Sequence, residues 1–96
     1  MRPQFAHYAT RIGPVRYRHR YQGRAVHAMR VQDVTIQAIC DWVQGAHTWA
    51  RSVVVPLPGG GEQAAQVGEW VYTADGTTFA VLPDAEFRAV YGPVTK

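Results

Sequence analysis

Four histidines, one cysteine and seven acidic residues are the groups in this 96-residue chain that could do chemistry. A metal centre needs several His, Cys or carboxylate ligands at short spacings, and His7, His19, His27 and His47 show no paired spacing with Cys40. They read as surface or half-buried histidines. A nucleophilic cysteine must be an accessible thiolate beside a base, whereas Cys40 falls in an apolar helical stripe that points it inward. Asp84 and Glu86 follow Pro83 and read as first-turn acids at a helix N-terminus rather than an acid–base pair. Gly59-Gly60-Gly61 lacks the following Lys-Ser/Thr of a phosphate loop and reads as a turn. These residues point to no enzyme, no metal and no cofactor.

What remains is an arginine-and-aromatic set: Arg11, Arg16, Tyr17, Arg18, Arg20, Tyr21, Arg24 and, further on, Trp49. Residues 1–32 carry seven Arg and no acid, a charge of +7, while residues 33–96 carry three basic residues against seven acids, a charge of −4. The chain is electrically polarised. Nine of the ten basic residues are Arg, whose planar fork suits carboxylate and phosphate alike. Tyr interleaved with Arg supplies stacking faces beside phosphate donors, the combination that single-stranded nucleic acids and nucleotides use. An acidic protein surface is the other partner that such a set fits. The plainer alternative is a charged edge strand that resists aggregation.

The elements that must position this set follow from the apolar patterning. Residues 1–15, with Pro3 and Gly13-Pro14 and no apolar period, read as an arm that is ordered only where it docks. Arg16 to Tyr21 alternates, placing Tyr17, His19 and Tyr21 on one face of a strand and Arg16, Arg18 and Arg20 on the other. Gly23 bulges or ends it. Residues 24–31 continue as a strand, with Val26, Ala28 and Arg30 facing one way and Ala25, His27, Met29 and Val31 the other. A helix is expected over 34–44, with Asp33 as N-cap, Gly45 just beyond the end, and Ile36, Ile39, Cys40 and Val43 as its buried stripe.

Residues 47–52 are ambiguous. Val53-Val54-Val55 has the β-branched density of a strand, and 62–66 reads as a weak antiparallel return. A hairpin then runs through Trp70 to Tyr72 and Thr78 to Leu82 around Asp75-Gly76, followed by a helical turn carrying Phe87 and Tyr91. Trp70, Tyr72, Phe79, Val81, Phe87 and Tyr91 are numerous enough to form most of a small core, with Trp49 the aromatic outside any clear pattern. The fold class expected is α+β: a small twisted, mainly antiparallel sheet, flat or curled into a half-open barrel, with one packed helix and a short C-terminal helical turn. Residues 16–96 form its single domain. No apolar run is long enough to span a membrane and no signal-peptide pattern is present, and the lone Cys40 fits a reducing cytoplasm.

From Tyr17 to Tyr91 the chain resembles a family of short proteins common in phage and prophage genomes. The residues that carry the likeness are Tyr17-Arg18, Val26 to Val31, the helix with Trp42, Val55-Pro56-Leu57, Gly68-Glu69-Trp70-Val71, Phe79, Phe87 and Tyr91. Glu69 stands where that family usually has Asp, and Val67 where it often has Pro; a turn leading into a strand tolerates both. The resemblance implies a phage origin, a compact fold and no assigned reaction. It implies a small accessory protein that binds and inhibits or sequesters a host component, such as an anti-phage defence protein with an acidic surface, in the host cytoplasm. Nucleic-acid or nucleotide binding through residues 16–30 is the alternative, and a homo-oligomer stays open.

Overall fold

The computed structural model describes residues 12–94, and the expected arm lies largely outside them. The described chain is α+β, with two helices and eight strands arranged as two antiparallel sheets, neither closed into a barrel. In chain order these are β1 (Val15–His19), β2 (Ala25–Arg30), α1 (Ile36–Trp42), β3 (His47–Trp49), β4 (Ser52–Pro56), β5 (Glu62–Gln66), β6 (Trp70–Thr73), β7 (Ala80–Leu82), α2 (Asp84–Val90) and β8 (Tyr91–Pro93). The larger sheet runs β7-β6-β2-β1-β8 and the smaller β3-β4-β5. The second sheet is the main departure from the single sheet expected. It arises because α1 and β3 to β5 are inserted between β2 and β6, which are neighbours in the larger sheet.

Alternation along the strands gives the larger sheet two apolar faces. Residues opposite one another in a ladder share a face, and the register Val15↔Ala28↔Tyr72↔Ala80 with Tyr17↔Val26 and Trp70↔Leu82 collects the aromatic residues on one side. There Ala28, Trp70 and Phe87 are buried with Tyr17, Tyr72, Leu82 and Tyr91 packed around them. The segment from β7 at one edge to β8 at the other passes through α2, which drives Phe87 into this cluster. Met29, Val71 and Val81 face the opposite way and join Val31, Ile39, Val43, Val53, Val55, Ala65 and Phe79 from α1 and the smaller sheet. The apolar residues of the 67–91 segment thus serve two cores, with Trp70, Tyr72, Phe87 and Tyr91 on one side and Phe79 and Val81 on the other.

Helix α1 is shorter than its apolar period suggests, and its cap differs. Thr35, not Asp33, is the N-cap residue, and its hydroxyl serves the preceding loop, donating to Arg30 O at 2.7 Å and accepting from the Gln32 amide at 2.9 Å. Asp33 is drawn instead into a forked pair with Arg51, at 2.8 and 2.9 Å. Val43 turns extended, ending the helix before Gly45, which takes φ +87°. The stripe itself packs as expected: Ile39 and Val43 are buried, Ile36 and Cys40 partly so, and Trp42 meets Phe79 edge-on at 5.0 Å.

The turn into β6 explains the Gly68-Glu69-Trp70 sequence. Gly68 sits at φ +100°, a region an L side chain enters only under strain, and its amide donates to Val31 O at 2.8 Å. The Glu69 carboxylate reaches back to accept the Gln66 amide at 2.8 Å, and Val31 N–H closes on Glu69 O. The motif therefore stitches the end of β5 and the start of β6 to the end of β2. At the other end of β6, one Asp75 oxygen accepts the amides of Thr77 and Thr78, both at 2.8 Å, and the other accepts the Thr78 hydroxyl at 2.9 Å.

Two carboxyl groups are consequently held below their usual range. For Asp75 the chief causes are the Thr78 and Thr77 amide bonds; for Asp84 they are the Trp70 indole and Arg88 hydrogen bonds. Both titrate lower folded than unfolded, so the stability they lend is complete above the unfolded carboxylate range of about pH 4 and is lost as pH falls through their folded values. Melting temperature should therefore drop steadily below about pH 4. An Asp75→Ala/Asp84→Asn variant should show a flatter profile in the same series of melts, and parallel profiles would assign acid lability to other groups.

Candidate anion-binding surface

The aromatic cluster covers one face of the larger sheet, and the second core covers the β7, β6 and inner β2 part of the other. Arg16 and Arg18 emerge on that second face beyond the core, because they alternate with Tyr17 on β1. Both are exposed. Opposite them on β2 stand His27 and Ala25, and opposite Arg18 on β8 stands Gly92. The strand is bounded at His19, but Arg20 N–H donates to Val90 O at 2.7 Å and carries the β1–β8 register one residue further, so Tyr21 is the residue that leaves the expected alternation for the turn to β2. His19 organises that turn: its Nδ1 accepts the amides of Tyr21 and Gln22 at 3.2 and 3.0 Å, and Gly23 closes it at φ +75°.

Arg20 stays on the arginine face. Its Nε–H donates to Arg88 O at 3.0 Å, at the carbonyl end of α2 where a cation is favoured. Its guanidinium lies where a Gly92 side chain would be, with Nη1 only 3.0 Å from the position a Cβ would take. Arg24 is exposed at the far side of the turn, and its carbonyl accepts the His19 amide at 2.7 Å. Tyr21 is 80% exposed, its ring 6.0 Å from that of His19. Arg11 lies outside the described residues.

Two members of the expected set stand elsewhere. Tyr17 is half-buried against the aromatic cluster, 5.2 Å from the rings of both Trp70 and Phe87, on the face opposite Arg16 and Arg18. Trp49 is 71% exposed, but it ends β3 in the smaller sheet, held there by a turn through Ala50 at φ +56° and by the Ser52 hydroxyl on its carbonyl at 2.7 Å. The structure thus brings Arg16, Arg18 and Arg20 to one face; Tyr21 stands beside the His19 ring at 6.0 Å, Arg24, one residue before Ala25, alternates away from Arg18, and Tyr17 and Trp49 lie elsewhere. His27 is exposed on this face and Gly92 is buried beneath the Arg20 guanidinium; neither was expected there. Their only signal is register, which single-strand patterning does not contain.

Charge pairing separates these arginines from the others. Arg88 and Arg30 approach Asp84 at 2.8 and 3.7 Å, and Arg51 approaches Asp33 at 2.8 Å. Among the described residues Arg16, Arg18, Arg20 and Arg24 have no carboxylate within ion-pair distance. Three guanidiniums on one sheet face, with Arg24 in the adjoining turn, thus meet no carboxylate among the described residues, an arrangement that attracts anions at low ionic strength.

Catalytic alternatives find little geometry. Among the described residues no three His, Cys, Asp or Glu side chains are grouped to hold a metal. The Cys40 thiol is pushed above its ordinary range by burial first and by the Asp41 charge second, and both disfavour the thiolate. Two grooves of ≈ 370 and ≈ 400 Å³ are present, the first lined by Ile12, Val15, Val34 and Trp70 and the second by Leu57, Phe79 and Ala80. Neither places a nucleophile beside a base. No described helix is long and apolar enough to cross a membrane. Comparison with protein-family models, curated proteins and solved structures finds no significant match to this chain.

Proposed function

We propose that this is a non-enzymatic binding protein, whose arginine face captures the acidic surface of a partner protein and so inhibits or sequesters it. The observation that carries this reading is the segregation of charge: among the described residues every arginine that meets a carboxylate lies outside residues 16–24, and the four within meet none. The phage resemblance supplies the partner's class, a host or anti-phage defence component reached in the host cytoplasm. Binding of this kind is steered by charge and weakened by salt. Lysate capture with the wild type and an Arg16→Ala/Arg18→Ala/Arg24→Ala variant in parallel tests it. A partner retained by the first should bind the second about tenfold more weakly, at roughly 0.5 kcal/mol for each exposed pair. Equal capture by both would remove this face as the binding surface.

Nucleic-acid or nucleotide binding is favoured by one observation, the exposed Tyr21 ring in the same turn as Arg20 and Arg24. It is weakened by Tyr17, which packs against the aromatic cluster on the face opposite Arg16 and Arg18, so a base stacked on it would not meet those arginines. Titration of labelled single strands, duplex and cyclic nucleotides at two salt concentrations separates the readings, since phosphate contacts release counterions and their affinity falls steeply with salt. No response from any of these ligands eliminates the second reading.

A further inference from the structure

Arg18 and Arg20 differ from the other unpaired arginines in being placed by the fold against each other's strand position. Gly92 is the ladder partner of Arg18, so a side chain at 92 would share the face of Arg18. That place is taken by the Arg20 guanidinium, with Nη1, Cζ and Nη2 at 3.0, 3.2 and 3.4 Å from the Cβ position. One of the five guanidinium N–H groups is already committed, Nε–H to Arg88 O, which fixes the plane and leaves the Nη edges to bind. Among the described residues no carboxylate is within ion-pair distance of either, and like charges brought to one spot repel unless an anion joins them.

We propose that Arg18 and Arg20 form a two-guanidinium clamp, preset over Gly92, for a single Asp or Glu carboxylate of the partner protein. The proposal rests on the reading of the arginine face as a binding surface and names the group that it binds. A carboxylate matches a fixed guanidinium edge with two coplanar oxygens. The neighbouring positions on this face are Ala25, His27 and Gly92, so no Tyr, Trp or Phe stands there to stack on a base, and a nucleic acid would gain only its phosphate contacts. Gly92 is the positioning residue. Its backbone is not in the left-handed region, so what calls for glycine there is the room that Arg20 occupies.

The probe is a fluorescent octaglutamate peptide, with octathymidylate of similar charge as the comparison, read by anisotropy at low salt. Arg20→Lys keeps the charge but loses the fork, and Gly92→Val keeps every charge but pushes the guanidinium aside. Each should weaken octaglutamate about fivefold, while Arg51→Lys, outside the face and paired with Asp33, should leave it nearly unchanged. Thermal melts accompany each variant, and Gly92→Ala replaces Gly92→Val if the larger residue disturbs β8. A purely structural Arg20 would lower the melting temperature and leave affinity alone, and that result overturns the clamp. If Arg20→Lys binds as wild type while the triple alanine variant does not, the broader face stands and the clamp falls. If wild type binds octaglutamate under no condition, both fall. Octathymidylate bound as tightly, with the same dependence on Arg20, would make the occupant a phosphate and refute the carboxylate.

Discussion

Trp70→Ala should unfold the protein at or near ambient temperature. The indole is 6% exposed, stacks on Phe87 at 4.3 Å with planes 7° apart, and meets Tyr17 edge-on at 5.2 Å. Its Nε1–H donates to Asp84 at 2.8 Å, which ties the sheet to the first turn of α2. Truncating a buried aromatic to alanine costs about 3–5 kcal/mol, out of the roughly 5–15 kcal/mol that holds a domain of this kind together. Trp70→Phe keeps a ring on Phe87 but removes the donor, so it should recover most of the loss. Arg18→Ala, by contrast, removes an exposed side chain with no carboxylate partner and should change stability by no more than about 0.5 kcal/mol. Thermal melts of the three variants test this. Equal losses for Trp70→Ala and Arg18→Ala would mean that the arginine strand is itself part of what holds the sheet.

The contrast between these residues was legible before the structure, because it depends only on alternation. Tyr17 against Arg16 and Arg18, and Ala28 against Met29, follow from a period of two once the strand is recognised. So does the α1 stripe from its own period. What alternation cannot supply is which strand lies beside which. The second sheet was hidden for that reason: Val53 to Val55 announces a strand but not its partner, and His47 to Trp49, short and fully exposed, announces nothing. β8 was hidden more deeply. Gly92 and Pro93 argue against a strand, yet an edge tolerates both, and the edge that results offers little to a foreign strand, since Tyr91 N–H is bound to Phe87 O and Pro93 has no N–H.

The candidate surface was half legible for the same reason. The excess of arginine in residues 16–24 is a property of composition, but its lack of acidic partners depends on where Asp33 and Asp84 go. Both are claimed by other arginines, Asp33 by Arg51 and Asp84 by Arg88 and Arg30. Alternation assigns Arg20 to the correct face: its N–H donates to Val90 O at 2.7 Å, which carries the β1–β8 register one residue past His19, and the bond to Arg88 O then holds its guanidinium there. Tyr17 illustrates the error that remains. A tyrosine between arginines looks like a stacking platform, but alternation already placed it opposite them, on the face that Phe87 covers.

Ile39→Ala should be the counterpart of Trp70→Ala on the other side of the sheet. Ile39 is fully buried in α1 among Met29, Val31, Val53, Val55, Val71 and Phe79, the core that packs the helix and the smaller sheet against the larger one. Removing its side chain beyond Cβ leaves a cavity between layers that close packing keeps from collapsing, at a cost of about 2–5 kcal/mol. The aromatic cluster lies across the sheet and shares none of the buried residues of this core. Milder changes in the two places, Ile39→Val and Trp70→Phe, should therefore add to within about 0.5 kcal/mol when combined. Denaturant melts of the two single variants and the double variant measure this directly. A coupling well above that value would mean that the sheet transmits strain between its faces, and that the two cores stand or fall as one.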